Sequence, residues 1–257
     1  MNSLIALLCI IINSSFTKDT DYRIALFVIE HLYDIHKYTL NEMAEKCYTS
    51  VPTLKKFFRM LGDKDFSMFR FHINNSISIR TGQMSTRNIA GKYQETEKLI
   101  QRFYPSLDLA HLKNTVQTIN ERISSLNRVV ILGAAYPNAL AVNYQEDMII
   151  MQKPVITEPA ISSLTNDFDE IREDDFVILT TISGSFFSIY PKRHEEVAKL
   201  KNIAIITSES TDLSAFPDAI DVRIPVSVDD ELYNYFLMSF FQLLKTDYYQ
   251  NYSLSKN

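Results

Sequence analysis

The sequence predicts an α/β fold in which an all-helical N-terminal domain precedes a doubly wound, five-stranded parallel sheet. Five short apolar runs with strand character recur through the second half of the chain, and segments with helical spacing separate them. These runs are apolar along most of their length, which is typical of parallel strands that are buried on both faces. The first third of the chain shows instead the three- and four-residue apolar spacing of amphipathic helices.

The predicted elements of the second half alternate regularly between strand and helix. Strands are expected at residues 128–133, 154–157, 176–181, 202–207 and 219–225. Helices are expected near residues 138–151, 160–171, 186–200 and 229–249. With the flavodoxin-like strand order 2-1-3-4-5, a ligand crevice would lie beyond the carboxyl ends of the first and third strands.

Length and composition describe an ordinary globular chain. Its 257 residues can form one large domain or two smaller ones, and 46% apolar against 22% charged residues argues against disorder. The two cysteines, Cys9 and Cys47, form no CxxC motif, and the five histidines show no metal-ligand spacing. We therefore expect a cytoplasmic protein that has no disulfide, no metal and no cofactor.

An apolar run of nine residues, Leu4 to Ile12, lies near the start of the sequence. A secretory signal carries positive charge before its apolar core, whereas the first basic residue here is Lys18. A membrane-spanning helix needs about 20 apolar residues, which is more than twice this run. The run is therefore predicted to be a short helix packed on the N-terminal domain or on a partner subunit, with no role in a membrane.

Residues 21–62 have the pattern of three helices, of which the second and third form a helix-turn-helix motif. A first helix covers residues 21–36, and a second follows Thr39 and carries the small residue Ala44 where two helices would cross. Ser50 can cap the third helix, because its hydroxyl can accept from a free amide of the first turn. Gly62 can adopt the left-handed conformation that ends this helix.

The third helix presents a polar outer face. In a helix-turn-helix, this helix enters the major groove, where its N-terminal residues face bases and its basic residues pair with phosphates. The candidate DNA-binding residues are Ser50, Thr53, Lys55, Lys56 and Arg59. A net charge of +3 in residues 1–90, against −8 in the remainder, agrees with this prediction. The alternative is a merely solvated helix face, and Tyr48 stands where this turn usually has a glycine.

The segment from Thr39 to Gly62 resembles the N-terminal domain of RpiR-type transcriptional regulators. The resemblance includes the Arg-x-Leu-Gly ending, here Arg59-Met-Leu-Gly62, and the aromatic-containing helix that follows, here Phe66-Ser-Met-Phe69. It implies a DNA-binding head followed by a sugar-isomerase (SIS) domain. The boundaries expected on this basis are a head at 1–75, a linker at 76–106 and an SIS-like domain at 107–257.

Residues 107–257 are similar to SIS domains, which bind phosphosugars. The second loop of that family, Ser-x-Ser-Gly-x-Thr, corresponds to Thr181-Ile-Ser-Gly-Ser-Phe186, and its first loop, Gly-x-Gly-x-Ser, corresponds to Gly133-Ala-Ala-Tyr-Pro137. Hydroxyl-rich loops and helix N-termini near Asn138 and Phe186 suit an anion or a polyol. The candidate ligand-binding residues are Gly133, Tyr136, Asn138, Thr181, Ser183, Gly184 and Ser185.

The sequence contains no catalytic set, so a regulator is expected rather than an enzyme. Its partners would be an operator in double-stranded DNA and a small effector of the sugar-phosphate class. The segment from Leu232 to Leu244 is apolar nearly all round a helix, which favours burial in a homodimer over burial in the chain's own core. Two alternatives stay open: a sugar-phosphate isomerase with an accessory helical head, and a regulator whose SIS-like domain senses nothing.

Overall fold

The computed structural model describes residues 4–15, 17–89, 91–159, 171–189, 191–225 and 231–253. The predicted helix at 160–171 lies almost wholly outside the described residues. The helices that precede the sheet are α1 (Leu4–Ser14), α2 (Thr20–Glu30), α3 (Leu40–Lys46), α4 (Val51–Met60), α5 (Phe66–Thr86), α6 (Lys92–Phe103) and α7 (Leu109–Ser125), with a 3-10 turn at Ile35–Lys37.

A five-stranded, all-parallel sheet forms the second half of the described chain. Its strands are β1 (Arg128–Gly133), β2 (Val155–Pro159), β3 (Asp175–Thr181), β4 (Ile203–Ser208) and β5 (Ile220–Ile224). Between and after them lie α8 (Ala135–Leu140), α9 (Val142–Ile150), α10 (Ser185–Ile189), α11 (Pro191–Val197), α12 (Leu232–Tyr248) and a π-helical turn at Tyr249–Ser253. The strand order β2-β1-β3-β4-β5 confirms the predicted fold class and topology.

The burial of the strands explains why they read as continuous apolar runs. Every residue of β1, β3 and β4 is buried, whereas β5 at the sheet edge also has exposed and partly buried positions. Parallel strands need helices on their faces, so their central members expose neither face to water. The continuous apolar runs in the sequence therefore follow from the layered architecture.

Helix α1 confirms the prediction of a short packed helix and joins both halves of the molecule. It packs against α2, α5, α9 and β2, and buries its apolar side. Asn13 and Gln145 exchange two side-chain hydrogen bonds, at 2.8 and 3.1 Å, and the Thr157 hydroxyl donates to Asn13 at 2.6 Å. This partly buried polar network fixes the position of α1 against α9 and β2.

The N-terminal helices and the sheet region share one hydrophobic core over the described residues. The 21-residue helix α5 runs without interruption through residue 75, where the first domain boundary was predicted, and α6 lies within the predicted linker. The Tyr33 hydroxyl donates to the Ile150 carbonyl at 2.5 Å. Contacts between the two regions are therefore extensive, and the proposed division at 1–75, 76–106 and 107–257 stays a prediction.

Helix α12 receives most of its cover from its own chain. It packs against α6, α7, α8 and α9, and most of its apolar residues are buried there. The large side chains of this helix that stay exposed are those of Tyr235 and Met238, and the Tyr235 ring stacks on that of Phe103 with centroids 5.7 Å apart. The apolar character of α12 thus does not require a partner subunit, and dimerisation stays a prediction.

Candidate nucleic-acid interface and ligand loops

The first helix of the helix-turn-helix, α3, begins at a complete capping box. The Thr39 hydroxyl accepts from the Glu42 amide at 3.2 Å, and the Glu42 carboxylate accepts from the Thr39 amide at 2.7 Å. This reciprocal pair satisfies two amides that a helix start otherwise leaves without partners. Ala44 is buried in α3 at the position that the sequence predicts for the helix crossing.

The turn between α3 and α4 contains a tyrosine in the left-handed region of backbone space. Tyr48 has φ +51°, and its side chain is 86% exposed. The Thr49 amide donates to the Ala44 carbonyl at 2.9 Å across the turn. The turn therefore keeps the conformation for which glycine is usual, and the strain is borne by Tyr48.

Helix α4 begins and ends where the sequence predicts. The Ser50 hydroxyl accepts from the Thr53 amide at 3.3 Å. At the other end Gly62 has φ +94°, and the amides of Gly62 and Asp63 donate to the carbonyls of Arg59 and Phe58 at 3.0 and 2.8 Å. This pair of bonds is a Schellman motif, which ends a helix at a left-handed residue.

The inner side of α4 is held by an aromatic cluster, which leaves its polar side in solvent. Phe57 and Phe58 are buried, and the Phe58 ring stacks on Phe69 of α5 with centroids 4.5 Å apart. Because the inner face is anchored in this way, the basic residues face outward. The side chains of Ser50, Lys55, Lys56 and Arg59 are exposed, and that of Thr53 is partly exposed. Within the described residues, the three basic side chains have no carboxylate partner.

The two predicted ligand loops leave the same edge of the sheet from neighbouring strands. β1 and β3 pair in register, with Gly133 opposite Thr180. The strand order also reverses between β1 and β3, so both loops flank the switch point at which open α/β sheets bind ligands. The predicted adjacency of the two loops is therefore confirmed, whereas ligand binding by their residues stays a prediction.

The first loop is closely packed against its neighbours. A Cβ atom on Gly133 would lie 2.8 Å from the Thr180 carbonyl oxygen and 3.2 Å from the Asn138 Oδ1 atom, so a side chain has no room there. Asn138 is buried, and its amide donates to the carbonyls of Gly133 and Glu158, both at 3.4 Å. It lies in the second turn of α8 rather than at the helix N-terminus that was expected near it, because α8 begins at Ala135. Tyr136 is 56% exposed.

The second loop divides its hydroxyls between structure and surface. The buried Thr181 hydroxyl accepts from the Phe186 amide at 3.2 Å, and so it holds the loop in shape. Gly184 has φ +71°, which favours glycine. The exposed Ser183 hydroxyl donates to that of Ser185 at 2.9 Å. Of the predicted hydroxyls in this loop, those of Ser183 and Ser185 are therefore accessible to a ligand.

A third hydroxyl-bearing strand end, which the sequence prediction missed, borders the second loop. The Thr207 hydroxyl near the end of β4 donates to the Thr181 carbonyl at 2.6 Å, and it accepts from the Thr211 hydroxyl at 2.7 Å. The Ser208 hydroxyl lies 3.2 Å from that of Thr211. The signal was present, because Thr207-Ser-Glu-Ser-Thr211 follows an apolar strand in the manner of the other two loops.

The described residues contain no group of three or more His, Cys, Asp or Glu side chains that could hold a metal ion. His194, the histidine beside two glutamates, packs its ring against those of Phe187 and Phe216, at centroid distances of 5.3 and 5.1 Å. It therefore forms part of an aromatic cluster. Among the helices of the described chain, none combines the length and the apolar character that crossing a membrane demands.

Comparison with known proteins gives distant similarities. No family model matches the chain. An uncharacterised HTH-type transcriptional regulator in the aarA 3′ region of Providencia stuartii is 22% identical over 177 residues, which cover 65% of this chain and 62% of the length of that relative. The chain therefore spans less than two thirds of that protein.

Two solved structures give likenesses of low identity. NanR of Vibrio vulnificus, complexed with ManNAc-6P, is 14% identical with a TM-score of 0.44, and the match covers 97% of this chain and 94% of that one. The E. coli CFT073 protein c3406 is also 14% identical with a TM-score of 0.44, over 66% of this chain and 93% of that one. The chain is thus similar in sequence to an HTH-type transcriptional regulator. Its parallel α/β fold is assigned from its own strand order, β2-β1-β3-β4-β5.

Proposed function

We propose that this protein is a DNA-binding transcriptional regulator whose α/β region senses a small metabolite of the phosphosugar class. The observation on which the proposal depends is a fully capped helix-turn-helix whose second helix, α4, exposes Lys55, Lys56 and Arg59 without carboxylate partners among the described residues. The sequence similarity to an HTH-type regulator supports the same function.

The geometry of α4 suggests how it would bind a duplex. The N-terminal residues of a recognition helix meet base edges in the major groove, so Ser50 and Thr53 would lie nearest to the bases. Lys55, Lys56 and Arg59 would contact phosphates, which release counterions and make the affinity depend on salt. A homodimer would present two such helices to half-sites about one helical turn apart, roughly 34 Å.

The effector would bind beyond the ends of β1 and β3. Ser183 and Ser185 offer exposed hydroxyls after β3, and Tyr136 offers an exposed ring at the start of α8, after β1. An effector changes operator binding only if it binds one arrangement of the recognition helices better than the other. The ligand must therefore have different affinities for the DNA-bound and the free protein.

A salt series of DNA-binding measurements tests the DNA-binding part of the proposal. A duplex selected from a random pool by the purified protein should bind with an affinity that falls as salt rises. Replacing Lys56 or Arg59 with Ala should weaken binding and reduce the salt slope by about one in each case. Lys199→Ala, an exposed lysine far along the chain, is the matched control and should bind as the original protein does. An absence of salt-dependent binding would contradict the proposal.

The effector is tested by thermal unfolding in the presence of phosphosugars. A bound sugar phosphate should raise the melting temperature of the original protein, because a ligand that binds only the folded state stabilises it. Replacing both Ser183 and Ser185 with Ala should abolish the rise. Unchanged unfolding with every phosphosugar would favour a regulator that senses nothing, whereas conversion of an aldose phosphate to a ketose phosphate would favour an isomerase.

A further inference from the structure

A cavity lies where α5, α6, α9 and α12 meet. None of its lining residues belongs to the candidate ligand loops after β1 and β3. Its volume is about 360 Å³, which falls within the range of small-molecule sites. The charged side chains that line it are Arg80, Arg87, Lys92, Glu95, Asp147 and Lys245. Four of them are cationic and two are anionic, so the lining has an excess of positive charge.

One wall of this cavity contains two cations that share one carboxylate, the buried Lys245 and the partly buried Arg80. Asp147 is fully buried, and its two oxygens accept from Arg80 Nε at 2.7 Å and from Lys245 Nζ at 2.8 Å. Lys245 is also buried and donates to the Asn143 side chain as well. A charge inside a protein is costly unless an opposite charge balances it. Asp147 balances only one of the two cations, so an anion in the cavity would balance the other.

The rim of the cavity supplies a further cation. Arg87 directly follows α5 and is exposed, and within the described residues it has neither a hydrogen bond from its side chain nor an ion pair. Lys92 differs, because it is paired with Glu95 at 2.5 Å. A guanidinium without a partner can bind a carboxylate or a phosphate through two parallel hydrogen bonds.

We propose that this cavity binds a small organic anion, a phosphate monoester or a carboxylate, through Arg87 with Arg80 and Lys245. Its apolar lining includes Met84 and Ile89, which would contact the carbon skeleton of the ligand. The site is separate from the loops at the sheet edge and does not depend on the function proposed for them.

The position of the cavity connects such a ligand to the recognition helix α4 through α5. Arg80 and Arg87 belong to α5 or its end, and α5 also contains Phe69, whose ring stacks on Phe58 of α4. Asp147 and Lys245 belong to α9 and α12 of the sheet region. An anion held between these residues would therefore connect the helix that supports α4 to the α/β region.

Isothermal titration of the full chain with three related compounds tests the site. Glycerol 3-phosphate supplies a phosphate monoester, glycerate supplies a carboxylate and glycerol supplies neither. We expect at least one of the two anions to bind and glycerol not to bind. The relative affinities of the two anions identify which group the site prefers. Failure of both anions to bind would overturn the proposal.

Matched variants test whether the anion binds in this cavity. Arg87→Gln should raise the Kd about tenfold, as the loss of a charge-assisted hydrogen bond does. Arg102→Gln removes the same charge from an exposed position of α6 outside the cavity, and should leave the Kd unchanged. Equal affinities for these two variants would overturn the proposal. The double replacement of Ser183 and Ser185 with Ala should also leave the Kd unchanged, and a loss of binding there would assign the anion to the sheet-edge loops instead.

Discussion

Arg128 on β1 donates to both carboxylate oxygens of Asp175 on β3, from Nε at 3.0 Å and from Nη2 at 2.7 Å. The two residues are partners in the strand register, and both are buried. Glu30 at the end of α2 accepts from the same guanidinium at 3.0 Å. Burial acts to lower the pKa of Arg128, but the bonds to Asp175 and the charge of Glu30 outweigh it and raise the pKa. One side chain thereby joins two strands of the sheet to the N-terminal helices.

Removing Asp175 should therefore destabilise the whole molecule. Asp175→Ala leaves the buried Arg128 charge without its two-bonded carboxylate partner, and breaking a buried pair costs about 3–5 kcal/mol. Urea unfolding followed by circular dichroism would measure the free energy of unfolding. Glu173→Gln alters an exposed carboxylate two residues away and should change stability by less than about 0.5 kcal/mol. Equal stabilities for the two variants would contradict the role given to this pair.

Replacing glycine with alanine should change the stability of the protein in opposite directions at Gly133 and at Gly82. Gly133→Ala places a Cβ atom 2.8 Å from the Thr180 carbonyl oxygen, and such overpacking costs about 1–3 kcal/mol. A Cβ atom added to Gly82, within α5, would meet nothing within 4 Å beyond the backbone of its own helix. Gly82→Ala should therefore stabilise the protein by about 0.5–1 kcal/mol. Thermal melts of both variants check the prediction, which fails if Gly133→Ala is tolerated without loss.

Replacing Tyr48 with asparagine should relieve the strain of the left-handed backbone at this position. An L-residue pays roughly 1–2 kcal/mol in this conformation, whereas asparagine adopts it readily. Since the Tyr48 side chain is 86% exposed, its loss removes little packing. Tyr48→Asn should thus raise the free energy of unfolding by about 1 kcal/mol. Tyr48→Phe keeps the strain and serves as the control with unchanged stability; a gain of the same size for Phe would attribute the effect to the side chain instead.

Both cysteines should resist thiol reagents in the folded protein. Cys9 and Cys47 are free and buried. Burial raises the pKa of Cys9 to about 12 and that of Cys47 to about 11, so the reactive thiolate is rare at neutral pH. A chromogenic disulfide reagent should detect no thiol in the native chain and two after denaturation. Fast reaction of either cysteine before denaturation would contradict this burial.

The raised pKa values of the two thiols predict that the folded protein loses stability at high pH. The folded-state pKa of each thiol lies above the ordinary value of 9.0, so the folded protein holds protons that the unfolded chain releases. The stability that this supplies is fully present below the ordinary value and is lost as pH rises through the raised values. Unfolding measured with each cysteine replaced by Ala would show a weaker dependence on pH in this range.

Local sequence patterns determined most of the secondary structure and the helix-turn-helix. Ser50 and Gly62 mark the two ends of α4 because a cap needs only a hydroxyl or a left-handed residue at the right spacing. The five strands were recognisable because burial on both faces makes them apolar along their length. The adjacency of the two candidate ligand loops followed from the predicted strand order, which places Gly133 beside Thr180.

Only the tertiary structure decided how these elements use their polar groups. The sequence shows a threonine at position 181, but the fold turns its hydroxyl toward the Phe186 amide and leaves Ser183 and Ser185 exposed. It shows an apolar helix near residue 240, but the chain itself supplies most of the cover. Spacing along the chain reports only on near neighbours, whereas Arg80 and Lys245 meet at Asp147 from 67 and 98 residues away. Contacts between residues so distant in sequence depend on how the helices and the sheet pack, and no local sequence pattern predicts them.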